Sequence, residues 1–216
     1  DDLVADAVRA GVEIVLGTTL TQDSPDVATF DDVIVATGSS YDVVASPASR
    51  PDRRPEIAPD ADVVGLDGAV ADLDRLGREV VIADDLGDHA ALSLALELAG
   101  TGRQVTLVTP GPVVGPVAAA TGDLAWMLPR LAEAGVVLET GTWPVRMRRG
   151  TVTVGGPSGE RDIRADSLVV NAARTADPIV WAPATPGQVV HRIGDCVTPR
   201  WVDDALVDAV RLTRTL

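Results

Sequence analysis

The residues best suited to chemistry lie near the end of the chain, where an apolar strand ends in Gly194 and Asp195. A glycine allows a ligand to approach the backbone closely, and a carboxylate accepts hydrogen bonds from ligand hydroxyl groups. A helix is predicted to begin near Trp201, and the N–H groups of its first turn would point to the same place. Arg200 would add positive charge. We expect a ligand-binding site here; the alternative is that Asp195 only caps the turn.

A second pair of candidate residues, Thr37 and Gly38, follows the apolar strand Val33–Ala36. Such an unbroken apolar run is usually buried on both faces of a sheet. Gly38 is either kept small because a cofactor or a connecting segment passes there, or it forms a tight turn. The sequence leaves both readings open.

A third candidate, Gly87, lies in the turn of a predicted β-α-β unit that spans residues 78–109. Dinucleotide-binding turns of this kind carry three glycines, whereas only Gly87 is present in this one. The following strand ends in Thr109, where NAD-binding proteins usually have an acidic residue. Three aspartates crowd the position of a pyrophosphate and should repel it: Asp84, Asp85 and Asp88.

Composition limits the class of protein. Apolar residues make up 46% of the chain and aromatic residues only 3%, so the core must be aliphatic, as in a buried parallel sheet. The net charge of −14 argues against nucleic-acid binding. The single cysteine, Cys196, excludes an iron–sulfur cluster held within this chain. No membrane span, leader peptide or metal site is indicated, and we expect a cytoplasmic protein.

The chain contains an internal repeat. LVADAVRAGVEIVLGTTLT, from Leu3, is echoed by LPRLAEAGVVLETGTWPV, from Leu128, and in both a helix ends at Ala-Gly-Val and a strand follows. The first copy thus predicts a strand at Val12–Leu16. Each copy leads on to another apolar strand. Only the second copy is preceded by a β-α-β unit, and that unit is where a dinucleotide-binding fold places its glycine turn.

We therefore predict an α/β fold with two Rossmann-like lobes of the FAD/NAD(P)-binding type. The second lobe is inserted in the first, and the first lacks its N-terminal β-α-β front half. Residues 1–40 and 172–216 would form the partial FAD- or ADP-binding lobe, residues 41–57 a linker, and residues 58–171 the NAD(P)-binding-like lobe.

Three segments carry a resemblance to a known family: VIVATG (Val33–Gly38), IADDLGDHAALSLALELAGTGRQVTLVTP (Ile82–Pro110) and GDCVTPRWVDDA (Gly194–Ala205). They resemble the C-terminal nucleotide-binding part of old-yellow-enzyme-type iron–sulfur flavoprotein oxidoreductases, such as 2,4-dienoyl-CoA reductase and trimethylamine dehydrogenase. The resemblance covers nearly the whole chain.

This resemblance implies a portion or subunit of a flavin-dependent oxidoreductase, of the ene-reductase or amine-dehydrogenase type. FAD or ADP would bind the first lobe, with Asp195 facing the ribityl chain of FAD, and NAD(P)H is possible in the second lobe. FMN and a 4Fe–4S cluster would belong to an N-terminal barrel part or partner subunit, so no catalytic residue is expected in this chain. An electron-transfer protein is a possible acceptor. The alternative function is a non-catalytic adenine-nucleotide-binding or docking subunit of a redox complex.

Overall fold

The structure is a computed structural model that describes residues 2–44, 51–179 and 181–216. Residues 45–50 of the predicted linker lie outside this range. The helices are α1 Asp2–Arg9, α2 Leu66–Ala71, α3 His89–Gly100, α4 Pro116–Ala120, α5 Leu124–Glu133 and α6 Val202–Thr213. The strands are β1 Asp32–Val35, β2 Ser39–Tyr41, β3 Glu56–Ile57, β4 Asp62–Gly65, β5 Glu79–Asp84, β6 Gln104–Val108, β7 Val137–Glu139, β8 Trp143–Arg148, β9 Thr151–Gly156, β10 Gly159–Arg164, β11 Ser167–Asn171, β12 Arg174–Ala176 and β13 Val189–Arg192.

The described residues form two compact units. Unit 1 comprises Asp1–Thr37 and Pro178–Leu216, and unit 2 comprises Gly38–Asp177. The chain contains both α-helices and parallel strands, and the predicted mixed α/β class is confirmed.

Unit 2 is built on a five-stranded parallel sheet with the order β4-β11-β5-β6-β7. The neighbouring strands β11 and β5 carry aliphatic runs, and nearly all of their residues are buried. Strands that are covered on both faces lose the alternation of polar and apolar residues, which explains these runs. The predicted β-α-β unit is present as β5, α3 and β6.

The core of unit 2 lies on both faces of this sheet. On one face Val80, Ile82 and Leu107 pack against the apolar side chains of α3 and α5. On the other face Val81 and Leu168 pack against residues of β8 and β9. Successive side chains of a strand point to opposite faces, so a single aliphatic run can serve both clusters.

A smaller sheet covers the second face, with the order β10-β9-β8-β3. The sequence predicts a hairpin over residues 145–154 with Gly150 at its turn, and β8 and β9 form that hairpin. The structure adds a third antiparallel strand, β10, which begins at Gly159 with a φ of +98°. β10 is an exposed edge strand, and edge strands often carry charged side chains. Its charged sequence therefore does not indicate a strand.

Unit 1 contains the parallel pair β1 and β13 together with α1 and α6. The predicted strand at Val12–Leu16 is wrong, since these residues form no strand and are exposed. A strand requires a hydrogen-bonded neighbour, and none of the described residues of unit 1 provides one for this segment. The expectation that β1 is buried on both faces is also wrong, because Ile34 is 44% exposed.

None of the helices described in the structure combines the length and the apolar character that are required to cross a membrane.

Candidate functional site

The first candidate site lies in unit 1, where two parallel strands end side by side. Val35 of β1 is opposite Arg192 of β13, and the N–H of Ile193 donates to the carbonyl of Val35 at 3.1 Å. Thr37 and Gly194 follow these strand ends and therefore lie at the same edge of the sheet. Ligands of open α/β sheets bind at this carboxyl edge.

The turn after β13 is a short 3₁₀ helix, Gly194–Cys196. Gly194 adopts a φ of +66°, a conformation that favours glycine. Cys196 is fully buried, and its Sγ lies 3.2 Å from the carbonyl oxygen of Val35 and 3.1 Å from that of Ile193. These contacts fix the turn against the end of β1.

Asp195 lies at the centre of this turn and is half-buried. Its Oδ1 accepts a hydrogen bond from the backbone N–H of Arg200 at 3.0 Å, which closes the loop that leads into α6. The carboxylate therefore has a structural role in closing this loop. In this position the carboxylate lies at the carboxyl edge of the strand pair, where it could accept a hydrogen bond from a ligand hydroxyl group.

Asp208, which no motif in the sequence marks, organises the same turn from α6. Its Oδ2 accepts a hydrogen bond from the N–H of Gly194 at 3.2 Å and binds the guanidinium group of Arg200. The bond from Arg200, followed by that from Gly194, holds the pKa of Asp208 below its usual value. The only signal in the sequence was an acidic residue repeated four positions after Asp204 on the predicted helix.

The remaining candidates in unit 1 are more exposed. Helix α6 begins directly after Trp201, whose carbonyl accepts from the N–H of Asp204 at 3.1 Å. The side chain of Trp201 is 52% exposed, and Thr37 is exposed as well.

Gly38 belongs to unit 2, where its carbonyl accepts from the N–H of Asp177 at 3.1 Å. Its φ is +81°, and a Cβ atom built at this position meets nothing within 4 Å among the described residues. A glycine is therefore favoured here by backbone conformation and not by close packing against the residues that the structure describes.

Gly87 lies in the turn between β5 and α3, and its surroundings are closed. Its φ is +65°, and a Cβ atom at this position would stand 2.5 Å from Cδ of Pro116. The carbonyl of Gly87 accepts from the N–H of Val117 at 3.0 Å. Helix α4 thus covers the one glycine that remains of the dinucleotide-binding pattern.

Asp84, the last residue of β5, is buried with 1% of its surface exposed. Its Oδ1 accepts from the N–H of Gly87 at 2.9 Å and from Nδ2 of Asn171 at 2.9 Å. Burial raises the pKa of Asp84 to about 6, and the negative charges of Asp88 and Asp85 act in the same direction.

The N-terminus of α3 already has an anionic partner, the carboxylate of Asp88. Its Oδ1 accepts from the N–H of Ala90 at 3.0 Å and from Nδ2 of Asn171 at 3.1 Å. In dinucleotide-binding proteins the helix N-terminus faces a pyrophosphate. The side chains of this turn therefore do not fit NAD(P)H, which the resemblance left possible.

A further contact holds α4, the helix that covers Gly87, in place. Nε2 of His89, the first residue of α3, lies 2.8 Å from Oδ2 of Asp123 and 3.0 Å from Oγ1 of Thr121. These bonds link the beginning of α3 to the segment that joins α4 and α5, and so keep Pro116 above Gly87.

Among the described residues no group of three or more His, Cys, Asp or Glu side chains could hold a metal ion.

Comparison with protein-family models and with curated proteins gives no match. Solved structures do match. Histamine dehydrogenase from Rhizobium sp. 4-9 is 23% identical with a TM-score of 0.81, over 92% of this chain and 32% of that chain. The 6-hydroxypseudooxynicotine amine oxidase HisD from Pseudomonas geniculata N1 is 24% identical with a TM-score of 0.82, over 97% of this chain and 33% of that chain. A 2-naphthoyl-CoA reductase is 20% identical with a TM-score of 0.75, over 97% of this chain and 30% of that chain.

The chain thus spans about a third of the length of the structures that it matches. At the level of the fold, the predicted resemblance to part of enzymes like 2,4-dienoyl-CoA reductase and trimethylamine dehydrogenase is confirmed.

Proposed function

We propose that this chain is the nucleotide-binding portion or subunit of a flavin-dependent oxidoreductase of the ene-reductase or amine-dehydrogenase type, and that unit 1 binds FAD or ADP. The three matched structures support an oxidoreductase, because they are a dehydrogenase, an amine oxidase and a CoA reductase by name. The chemical reaction would take place outside these 216 residues.

One observation carries the proposal: the turn at Gly194 and Asp195 lies at the carboxyl edge of the parallel pair β1 and β13. A carboxylate at this edge can accept hydrogen bonds from the ribityl hydroxyl groups of FAD or the ribose hydroxyl groups of ADP. Thr37, Arg200, Trp201 and the first turn of α6 would line the same site, and Gly38 would follow it in the chain. Asp208 would position Arg200 and the turn.

The internal repeat supports a lobe that is only partly formed by this chain. In unit 2, β7 pairs with β6, and β11 pairs with both β5 and β4. In unit 1, the counterpart of β11 is β1, and within the described residues β1 pairs with β13 alone. The counterpart of β7 is Val12–Leu16, which has no strand partner there. The strand partners that β1 and Val12–Leu16 lack among the described residues correspond to β5 and β6 of unit 2, which α3 connects. These two missing strands leave two gaps in unit 1.

We infer that a β-α-β segment fills these two gaps in the assembled enzyme. Helices α1 and α6 support this inference, because neither has a buried residue and Leu3, Val202 and Leu206 are each at least 60% exposed. The proposed division into a partial lobe (1–40 and 172–216), a linker (41–57) and a second lobe (58–171) rests on the same repeat. The barrel part or partner subunit would carry FMN and the 4Fe–4S cluster.

The experiment is the visible absorption spectrum of the purified chain, followed by titration with FAD and ADP. Yellow material that releases FAD on denaturation supports the flavin-binding form. Colourless material whose thermal midpoint rises with ADP supports the alternative, an adenine-nucleotide-binding docking subunit. If neither FAD nor ADP changes the thermal midpoint, the proposal for unit 1 is wrong.

A further inference from the structure

Asp84 and Asn171 end the neighbouring parallel strands β5 and β11 and stand opposite each other in register. Both are buried, and Nδ2 of Asn171 donates to Oδ1 of Asp84 at 2.9 Å. The second oxygen atoms of the two side chains, Oδ2 of Asp84 and Oδ1 of Asn171, are also buried. Within the part of the chain that the structure describes, neither has a hydrogen-bond partner. Two buried acceptors without donors destabilise the folded state.

A single proton would satisfy both oxygen atoms. A carboxylic acid and a primary amide form a cyclic pair in which the amide N–H donates to one acid oxygen and the acid O–H donates to the amide oxygen. The first of these two bonds is already present. We infer that Asp84 takes up a proton in the folded protein under mildly acidic conditions, that its Oδ2–H donates to Oδ1 of Asn171, and that the turn after β5 is therefore a pH-responsive element.

Burial and the neighbouring carboxylates favour the neutral form of Asp84, and together they outweigh the hydrogen bonds from Gly87 and Asn171, which lower its pKa. The charged groups that act on it are the carboxylates of Asp85 and Asp88, in its own turn. Strand β11 contributes the neutral amide of Asn171, and α4 contributes Pro116 above Gly87. Asp84 also lines a small pocket. The other residues that line it are mainly apolar, Val43 and Ala172 among them. The pKa of about 6 has burial as its first cause and these two carboxylates as further ones.

In this turn, side chains of the protein itself take the hydrogen-bonding positions that a bound ligand would occupy. With Asp84 neutral, the acid–amide pair and the Asp88 cap satisfy the polar groups that a pyrophosphate would otherwise contact. With Asp84 ionised, two buried acceptors remain unpaired and three carboxylates share one turn. The protonation of Asp84 takes place within unit 2 and does not depend on the nucleotide proposed for unit 1.

The direct test is carbon NMR of the full chain with ¹³C-labelled aspartate carboxyl groups, using Asp84→Asn to assign the resonance. We expect the Asp84 carboxyl to titrate near pH 6, roughly 100-fold tighter proton binding than an ordinary aspartate. The side-chain resonances of Asn171 should shift with the same midpoint. Titration of Asp84 at the ordinary value of 3.8 would overturn the inference.

Variants provide a second readout. In Asp84→Asn, an amide N–H takes the place of the acid O–H, so the cyclic pair should persist without a proton. Unfolding of this variant should lose the part of the pH dependence that wild type shows between 3.8 and about 6, where only the folded state holds the proton. The matched control is Asp85→Asn, which removes a neighbouring carboxylate and should retain most of that dependence. If Asp84→Asn keeps the full pH dependence of wild type, the proton is not on Asp84.

Discussion

The backbone N–H of Gly194 donates a hydrogen bond to Oδ2 of Asp208 at 3.2 Å, and this bond ties the turn after β13 to the middle of α6. Arg200 binds the same carboxylate, while its own N–H donates to Asp195. The residue proposed to contact a cofactor is thus held in place through residues that precede and follow it. Asp208 is a positioning residue for this turn.

Removing that carboxylate should release the turn. In Asp208→Ala we expect the amide hydrogen of Gly194 to exchange faster, because its acceptor is gone, and the thermal midpoint of unit 1 to fall. Hydrogen exchange of the full chain measures this, with Asp204→Ala on the same helix as the matched control. Unchanged protection of Gly194 in Asp208→Ala would contradict the assignment.

The pH dependence of stability in unit 2 should pass through a maximum. Hydrogen bonds from Trp126, Thr121 and His89 lower the pKa of Asp123 to about 2, so its stabilisation is present above 3.8 and is lost as the pH falls toward 2. Asp84 has the opposite sign, because its raised pKa makes its stabilisation complete below 3.8 and lost as the pH rises through about 6.

Denaturant unfolding across this range should therefore show the highest stability at about pH 4, midway between the two folded-state pKa values. Asp123→Asn should remove the loss on the acidic side, and Asp84→Asn the loss on the alkaline side. Because Asp84 is buried, the second effect should reach about 2 to 3 kcal/mol at pH 8. Stability that rises steadily up to pH 8 in wild type would contradict this account.

Two matched substitutions test whether α4 covers Gly87. Gly87 and Gly102 both have a positive φ, +65° and +85°, but only Gly87 has a neighbour in the space of a Cβ atom. Gly102→Ala should cost about 1 kcal/mol from backbone conformation alone. Gly87→Ala should cost about 2 to 4 kcal/mol, because it also collides with Pro116. Equal costs, measured by denaturant unfolding, would show that Pro116 does not cover the turn.

Unit 2 should not bind a pyridine dinucleotide. We expect NADH and NADPH to show no saturable binding to the wild-type chain in fluorescence titrations, since Asp84, Asp85 and Asp88 would repel the pyrophosphate and α4 covers Gly87. The double variant Asp84→Gly with Asp85→Gly removes two of the three charges and should regain weak binding. Micromolar binding by the wild-type chain would contradict the closed turn.

Much of unit 2 could be predicted from the sequence, because its elements carry local signals. The aliphatic runs of β5 and β11 and the Asp88 cap of α3 are visible in the residues themselves. Strand pairing is not local, and for that reason the sequence failed at Val12–Leu16, which has the composition of a strand but no neighbour to pair with. Within the site, Gly194 and Asp195 were predicted from their position after a strand. Asp208 was not, because only the folded chain brings it to Gly194.

The central claim is that Asp195 contributes to a binding site for FAD or ADP in unit 1. Its most direct test is calorimetric titration of the chain with ADP and with FAD, for wild type, Asp195→Ala and the exposed control Asp23→Ala. We predict saturable binding by wild type and by Asp23→Ala, and a dissociation constant about 10-fold higher for Asp195→Ala, the effect of one lost charge-assisted hydrogen bond. Equal affinity of Asp195→Ala and wild type, or no binding by wild type, would contradict the claim.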